Sequence, residues 1–175
     1  MKRTVCVVQA RMNSQRLPGK VLADLCGAPV LARVVRRAQK CERLTETVVA
    51  TSSLPQDDDI AEVARGLGVR CVRGPLDDVL ARYVLAARET NAEVVVRVTA
   101  DCPLIDPDIM SRTIGFLRGD ADFVSNSLDR SYPRGLDTEA FHVDALYRAH
   151  RMAYSPVDRE HVGTWFYRTA PNLNV

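Results

Sequence analysis

Short apolar runs alternate along the chain with longer segments in which apolar residues recur every three or four positions. The runs at 4–9, 47–51, 69–72 and 93–98 are rich in β-branched residues, a composition that predicts four strands. The helical periodicity predicts helices over four intervening segments, which are 29–41, 57–66, 76–90 and 106–117. A further strand is predicted at 122–125. Beyond a turn-rich stretch around Pro133 and Gly135, an extended piece at 139–143 and helices at 144–153 and 158–168 follow.

Strand–helix–strand repeats of this kind predict an α/β fold with a mostly parallel, doubly wound sheet, because parallel neighbours need crossover helices. No linker or internal repeat interrupts the pattern, so residues 1–175 are interpreted as one domain. A common strand order, 3-2-1-4, places the first and fourth strands side by side. Ligands bind beyond the carboxyl ends of strands where the order reverses, so we expect the chemistry in the loops after Gln9 and Thr99.

Composition narrows the functional classes. The chain carries 24 basic and 22 acidic residues spread along its length, a balance that does not favour nucleic-acid binding. No apolar run is long enough to cross a membrane and no secretory signal is recognisable, so a cytoplasmic protein is expected. The five cysteines form no C-x-x-C pair, which predicts free thiols rather than zinc ligands or disulfides.

The loop after the first strand is the densest basic cluster. Between positions 9 and 20 it holds Arg11, Arg16 and Lys20 together with Ser14 and a Pro-Gly turn. Forked guanidinium groups, a lysine and free backbone amides suit a triphosphate. The glycine spacing matches neither the dinucleotide fingerprint nor the Walker loop. The alternative, a solvated basic loop, stays open on composition alone.

The same segment, Ala10-Arg11 followed by Ser14, Arg16-Leu17-Pro18-Gly19-Lys20 and Leu22, resembles the nucleotide loop of the CMP–sugar-acid synthetases. That group includes keto-deoxy-octulosonate cytidylyltransferase, and the segment is more similar still to the spore-coat polysaccharide F-like cytidylyltransferases. The resemblance implies a three-layer Rossmann-like nucleotidyltransferase (GT-A-like) fold, transfer of CMP from CTP, and Mg²⁺ as cofactor. It also implies that Arg11, Arg16 and Lys20 hold the triphosphate and serve catalysis.

The segment after the fourth strand ends in a carboxylate, Asp101, which is predicted to face the basic loop across the sheet. Mg²⁺ prefers oxygen ligands and commonly bridges one or two carboxylates to phosphates, so Asp101 is the leading catalytic metal ligand. The alternative is a turn or helix cap, a role for which Asp106 before Pro107 is better placed. Cys102 as a nucleophile is given little weight, because no histidine is near in sequence. The run 97–104 also resembles the family.

The stretch 72–83 resembles the family too, and there Gly74 and Asp78 are predicted to border the base. Structural roles as a turn glycine and a helix cap are equally compatible with these two residues. Together with the loops, these residues give a predicted nucleotide site that comprises Ala10, Arg11, Ser14, Arg16, Gly19, Lys20, Gly74, Asp78 and Thr99.

The later part of the chain is predicted to bind the acceptor. Polar and aromatic residues on a loop above a rigid sheet often bind ligands, and these positions resemble the acceptor region of the family. Asp137 is predicted as a second metal-contacting carboxylate, although surface roles remain open for every residue of this set. The predicted acceptor residues are Tyr132, Arg134, Asp137, Glu139, Glu160 and His161.

The sequence therefore predicts a nucleotidyltransferase that joins CMP from CTP to a small acidic acceptor and releases pyrophosphate. The alternatives are an enzyme acting on a phosphonate or a sugar-1-phosphate, and a catalytically silent CTP-binding or assembly module. Relatives of this kind continue beyond the point where this chain stops. A missing C-terminal tail is accordingly expected, and a homodimer stays an expectation.

Overall fold

The computed structural model describes residues 2–14, 16–119, 121–130 and 132–169. The strands are β1 Thr4–Gln9, β2 Glu46–Ser52, β3 Cys71–Gly74, β4 Val94–Thr99, β5 Phe123–Ser125 and β6 Glu139–His142. The helices are α1 Val30–Ala38, α2 Asp58–Gly66, α3 Val79–Thr90, α4 Pro107–Gly115, α5 Val143–Met152, α6 Pro156–Glu160 and α7 Val162–Thr169.

The six strands form one mixed sheet in the order β3-β2-β1-β4-β6-β5. The predicted α/β class and the 3-2-1-4 order are confirmed, with β1 pairing in parallel to both β2 and β4. The strand β6 pairs antiparallel to both β4 and β5. This strand inserts between two elements that precede it in the chain, and it brings the late part of the sequence beside the most apolar strand.

Helices cover both faces of the sheet, so the domain has three layers. One apolar cluster joins the sheet to α3, α5 and α7, and its aromatic centre contains Phe123, Phe141 and Phe166. A second cluster joins the other face to α1, α2 and α4. Because β1 and β4 are buried by both clusters, their carboxyl ends are held rigidly. Within the described ranges, none of the helices combines the length and apolar character that a membrane span requires.

The helix boundaries confirm one cap and correct one helix. Asp106 accepts hydrogen bonds from the backbone N–H groups of Asp108 and Ile109, and Pro107 is the first residue of α4. The single helix predicted over 158–168 is wrong, because the chain breaks at His161, whose φ of −107° and ψ of 81° are not helical. The His161 carbonyl accepts from the Thr164 N–H and so begins α7. Two short 3-10 helices, Lys20–Leu22 and Pro55–Asp57, have no counterpart in the prediction.

The five cysteines are free thiols, as expected. Cys6 and Cys41 are buried, whereas Cys26 is exposed in the turn before α1. Burial is the main cause that raises the pKa of Cys6 far above its ordinary value. The buried pair behaves as small apolar residues rather than as reactive groups.

Candidate active site

A cavity of about 560 Å³ opens where the loops after β1 and β4 meet, at the place the strand order indicates. Cationic side chains predominate around it, and two carboxylates face them. Its walls are formed by Gln9, Ala10, Arg11, Ser14, Arg16, Lys20, Val21, Val79, Arg82, Arg97, Thr99, Ala100, Asp101, Glu160 and His161. The segments that follow β1 and β4, the first part of α3 and the end of α6 therefore form one site.

The backbone after β1 folds back on itself and presents the cationic side chains to the cavity. The Met12 carbonyl accepts from the N–H groups of Ser14 and Gly19, both at 2.9 Å. Gly19 has a φ of 71°, a left-handed conformation that glycine adopts without strain. The turn at Gly19 leads directly into the 3-10 helix that carries Lys20. Gly19 itself does not line the cavity and instead allows the turn that orients Lys20.

Lys20 and Asp101 form an ion pair across the cavity. Burial acts to raise the pKa of Asp101, but hydrogen bonds from Lys20 and Thr99 and the lysine charge outweigh it, so the pKa is lowered. Asp101 is therefore a carboxylate at neutral pH, and its side chain remains 36% exposed to the cavity. The cationic loop and the acidic residue that the sequence singled out are in direct contact.

A second ion pair, between Arg11 and Glu160, also lines the cavity. Arg11 donates from Nη2 to Oε1 of Glu160 at 2.9 Å. Glu160 is the last residue of α6, and His161 after it also lines the cavity. Both partners of this pair are more than one third exposed, so the interaction stabilises the fold by no more than about 1 kcal/mol. An incoming anion can displace Glu160 at little cost.

The floor of the cavity is a buried polar network that the sequence prediction missed. Arg97 donates from Nη1 to Glu139 at 3.0 Å and from Nε to the side-chain oxygen of Gln9, also at 3.0 Å. The Tyr83 hydroxyl donates to the same Gln9 oxygen. Burial opposes the charge of Arg97, but Glu139 raises its pKa above the ordinary value, so the guanidinium stays charged. The one signal in the sequence was an arginine inside the most apolar strand.

Glu139 lies beneath this floor and is 4% exposed. It accepts from Arg97 and from the Tyr167 hydroxyl, whose pKa rises to about 12 through burial and the adjacent carboxylate. A Cβ on Gly163 of α7 would lie 2.7 Å and 2.8 Å from the two carboxylate oxygens, closer than non-bonded atoms approach. Glu139 thus joins β4, β6 and α7, and it contacts other side chains rather than the cavity.

Arg82, which also lines the cavity, is 1% exposed. Its Nη1 donates to the carbonyls of Pro75 and Leu76, so the guanidinium holds the turn before α3. Burial lowers the pKa of Arg82 from its ordinary value. No carboxylate of the described residues lies within ion-pair distance of it, and its charge adds to the positive character of the floor.

The two predicted base-bordering residues lie outside the cavity lining. A Cβ on Gly74 would lie 3.0 Å from side-chain atoms of Arg82 and Leu85, so the glycine allows α3 to pack closely. Asp78 caps α3 by accepting from the Ala81 N–H, and it also pairs with Arg159 of α6 at 3.2 Å. Both contacts are structural, and the border of the base stays a prediction for these residues.

Four of the six predicted acceptor residues are not part of the cavity wall. Asp137 pairs with Arg130, and Glu139 lies below the floor. Tyr132 is partly exposed and Arg134 is exposed. The other two predicted acceptor residues, Glu160 and His161, line the cavity directly.

Cys102 follows Asp101 directly in the chain. Burial is the main cause that raises the pKa of the Cys102 thiol, and the charges of Asp101 and Asp137 raise it further.

No group of three or more His, Cys, Asp or Glu side chains suited to a metal is present in the part of the chain that the structure describes. This donor set still fits magnesium, which commonly binds one or two protein carboxylates and takes its remaining ligands from substrate phosphates and water. Asp101 offers such a carboxylate at the edge of a cationic cavity, whereas Asp137 pairs with Arg130 and does not line the cavity.

The model of a protein family described as cytidylyltransferase matches residues 5–174 of this chain. The chain is 35% identical to the 3-deoxy-manno-octulosonate cytidylyltransferase of Anaeromyxobacter dehalogenans, over 97% of this chain and 75% of that protein. It is 31% identical to the spore coat polysaccharide biosynthesis protein SpsF of Bacillus subtilis, over 99% of this chain and 73% of that protein.

The fold is similar to that of a solved structure of a cytidylyltransferase from Leptospira borgpetersenii, with a TM-score of 0.94 and 30% identity. That similarity covers 99% of this chain and 74% of the solved one. Across the three proteins, the chain spans about three quarters of the longer partner.

Proposed function

The chain belongs to the cytidylyltransferase family, and on that premise we propose that it transfers CMP from CTP to a small acidic acceptor such as a sugar acid. Family membership confirms the resemblance drawn from the loops around Arg16 and Asp101. The contact that carries the proposal is the ion pair between Lys20 and Asp101, which joins the cationic loop to the acidic one at the cavity.

Binding of the triphosphate is assigned to the cationic side of the cavity. Arg16 has no carboxylate partner among the described residues, so its guanidinium is available to a phosphate. Arg11 and Lys20 are paired with Glu160 and Asp101, and each changes partner when phosphate oxygens arrive. Charge-assisted hydrogen bonds to phosphate are among the strongest in proteins, so this exchange is favourable. Ser14, Ala10 and Thr99 complete the nucleotide side.

Magnesium, when bound, neutralises phosphate charge and polarises the α-phosphate. Asp101 is the residue proposed to hold it, and Asp137 is proposed as a second contributor. Lys20 releases Asp101 in the same event that it binds the phosphates. The chain thus keeps its carboxylate paired in the absence of nucleotide and frees it when nucleotide arrives.

Transfer is a displacement at the α-phosphorus of CTP. An acceptor oxygen forms a bond to that phosphorus, the bond to the β-phosphate oxygen breaks, and pyrophosphate leaves with the electron pair. Arg11, Arg16 and Lys20 stabilise the charge that accumulates on the leaving group. An acidic acceptor supplies its own nucleophilic oxygen, so the protein contributes positioning and electrostatics. Glu160 and His161 lie where an acceptor approaches from the rim.

The activity is tested by pyrophosphate release with Mg²⁺, each of the four nucleoside triphosphates, and a panel of sugar acids, phosphonates and sugar-1-phosphates. Turnover with CTP and a sugar acid supports the proposal. Turnover only with a phosphonate or a sugar-1-phosphate would contradict a sugar acid as the acceptor and identify the other compound class instead. Measurable CTP binding without turnover across the panel would identify a binding module.

Replacement of Lys20 with Met is expected to raise the affinity of the nucleotide-free protein for Mn²⁺ about fivefold, because a competing ion pair of about 1 kcal/mol is removed from Asp101. Electron paramagnetic resonance of free Mn²⁺ measures this affinity without turnover. The matched control is Arg16→Met, which removes a cavity cation but leaves Asp101 paired. Equal Mn²⁺ affinities in the two variants would contradict the exchange of partners by Lys20.

A further inference from the structure

A buried carboxylate lies beneath the phosphate-binding loop and belongs to none of the motifs recognised in the sequence. Asp57 is 0% exposed and ends the short helix Pro55–Asp57, immediately before α2. No lysine, arginine or histidine of the described residues is within ion-pair distance of it. A carboxylate that is buried without a paired cation is costly unless hydrogen bonds satisfy its oxygens.

Both oxygens of Asp57 are hydrogen bonded, and none of the three bonds is made to α2. Oδ1 accepts from the Met12 backbone N–H at 2.8 Å. Oδ2 accepts from the hydroxyl of Ser52 and from its backbone N–H, the latter at 3.2 Å. Although Asp57 holds the N-cap position of α2, its side chain makes no cap hydrogen bond there. The carboxylate is directed to the loop after β1 and to the end of β2.

Met12 is the residue through which this contact reaches the cavity. Its carbonyl accepts from the N–H groups of both Ser14 and Gly19, so it holds the two ends of the loop together. A Cβ on Gly19 would lie 3.5 Å from the Met12 side chain, so these two residues also pack together. Met12 therefore positions Ser14 directly through a hydrogen bond, and it positions Lys20 through the neighbouring Gly19.

We propose that Asp57 is a positioning residue for nucleotide binding: its carboxylate fixes the Met12 amide and thereby holds residues 11–14 and 16–20 of the loop in the conformation that receives the triphosphate. This role rests on the proposed function of the loop. Asp57 is not among the residues that line the cavity, and it acts through its hydrogen bond to the Met12 backbone, over a separation of 45 residues.

The test uses Asp57→Ala and Asp57→Asn. Hydrogen–deuterium exchange of residues 12–19 reports loop order without nucleotide, and calorimetric titration with CTP and Mg²⁺ reports affinity. In Asp57→Ala, we expect exchange in the loop to accelerate at least about tenfold and the Kd for CTP to rise about tenfold, the effect of one charge-assisted hydrogen bond. Asp57→Asn retains an oxygen for the Met12 amide but loses the charge, so we expect an intermediate effect, with loop exchange and the Kd for CTP each raised about fourfold.

Ser52→Ala is the matched control, because it removes a hydroxyl bond to the same carboxylate and leaves the Met12 contact in place. Its loop exchange and CTP affinity are expected to stay within about twofold of wild type. Unchanged loop exchange or unchanged CTP affinity in Asp57→Ala would overturn the positioning role. If Asp57→Ala does not fold, loop exchange decides with the conservative variants: faster exchange in Asp57→Asn than in Ser52→Ala supports the role, because only Asp57→Asn removes the charge from the acceptor of the Met12 amide, and equal exchange in the two variants refutes it. Wild-type protein that binds no CTP would refute the proposed function instead, and loop exchange would still decide the role of Asp57.

Discussion

Replacing Asp101 with Asn is expected to lower kcat for pyrophosphate release about a thousandfold, equivalent to about 4 kcal/mol of transition-state stabilisation. The substitution keeps the size of the side chain but removes the charge proposed to hold the metal. The fold should be nearly unaffected, because the side chain is 36% exposed and its pairing with Lys20 is of the surface class. Steady-state kinetics with CTP and the active acceptor measure the rate, and thermal unfolding measures stability.

The control for this prediction is Asp108→Asn, which neutralises an exposed carboxylate in the first turn of α4, seven positions away. Its rate should match that of the wild type. A rate for Asp101→Asn within about threefold of wild type would remove Asp101 from the metal-binding role, since that difference is below 1 kcal/mol.

Replacing Glu139 with Ala is expected to reduce the free energy of unfolding by about 3–5 kcal/mol, the cost of leaving one member of a buried ion pair without its partner. The guanidinium of Arg97 would remain in the floor with no carboxylate beside it, and the Tyr167 hydroxyl would lose its acceptor. Urea-induced unfolding measures the difference through the midpoint and the slope.

The comparison variant for the buried pair is Glu46→Ala. Glu46 pairs with Arg3 and Arg70 at the surface, where its side chain is 24% exposed and its partners are exposed by more than 40%. A loss of no more than about 1 kcal/mol is expected there. Similar losses of unfolding free energy for Glu46→Ala and Glu139→Ala would show that burial does not strengthen the ion pair between Arg97 and Glu139.

The sequence was sufficient to predict those parts of the site that directly follow a strand. Thr99 is the last residue of β4, and Asp101 follows it in the turn where the strand leaves the core. The β-α-β rhythm then placed this edge beside the basic loop, because parallel strands end together. The strand order and the contact between Lys20 and Asp101 follow from that logic.

The contacts that could not be predicted are those whose partners are distant in sequence. The insertion of β6 beside β4 depends on antiparallel pairing across a long irregular connection, and only that insertion turns Glu139 into the partner of Arg97. Asp57 was visible only as an acidic residue at a helix start, since nothing near it indicates Met12. For Gly74 and Asp78, the structure shows a packing contact and a helix cap.

Gly163 leaves the space that the Glu139 carboxylate occupies. Any methyl group there would displace the carboxylate that neutralises Arg97, so a substitution at 163 alone changes the electrostatics of a cavity it never touches. The side chain at 163 and the carboxylate at 139 therefore compete for the same space.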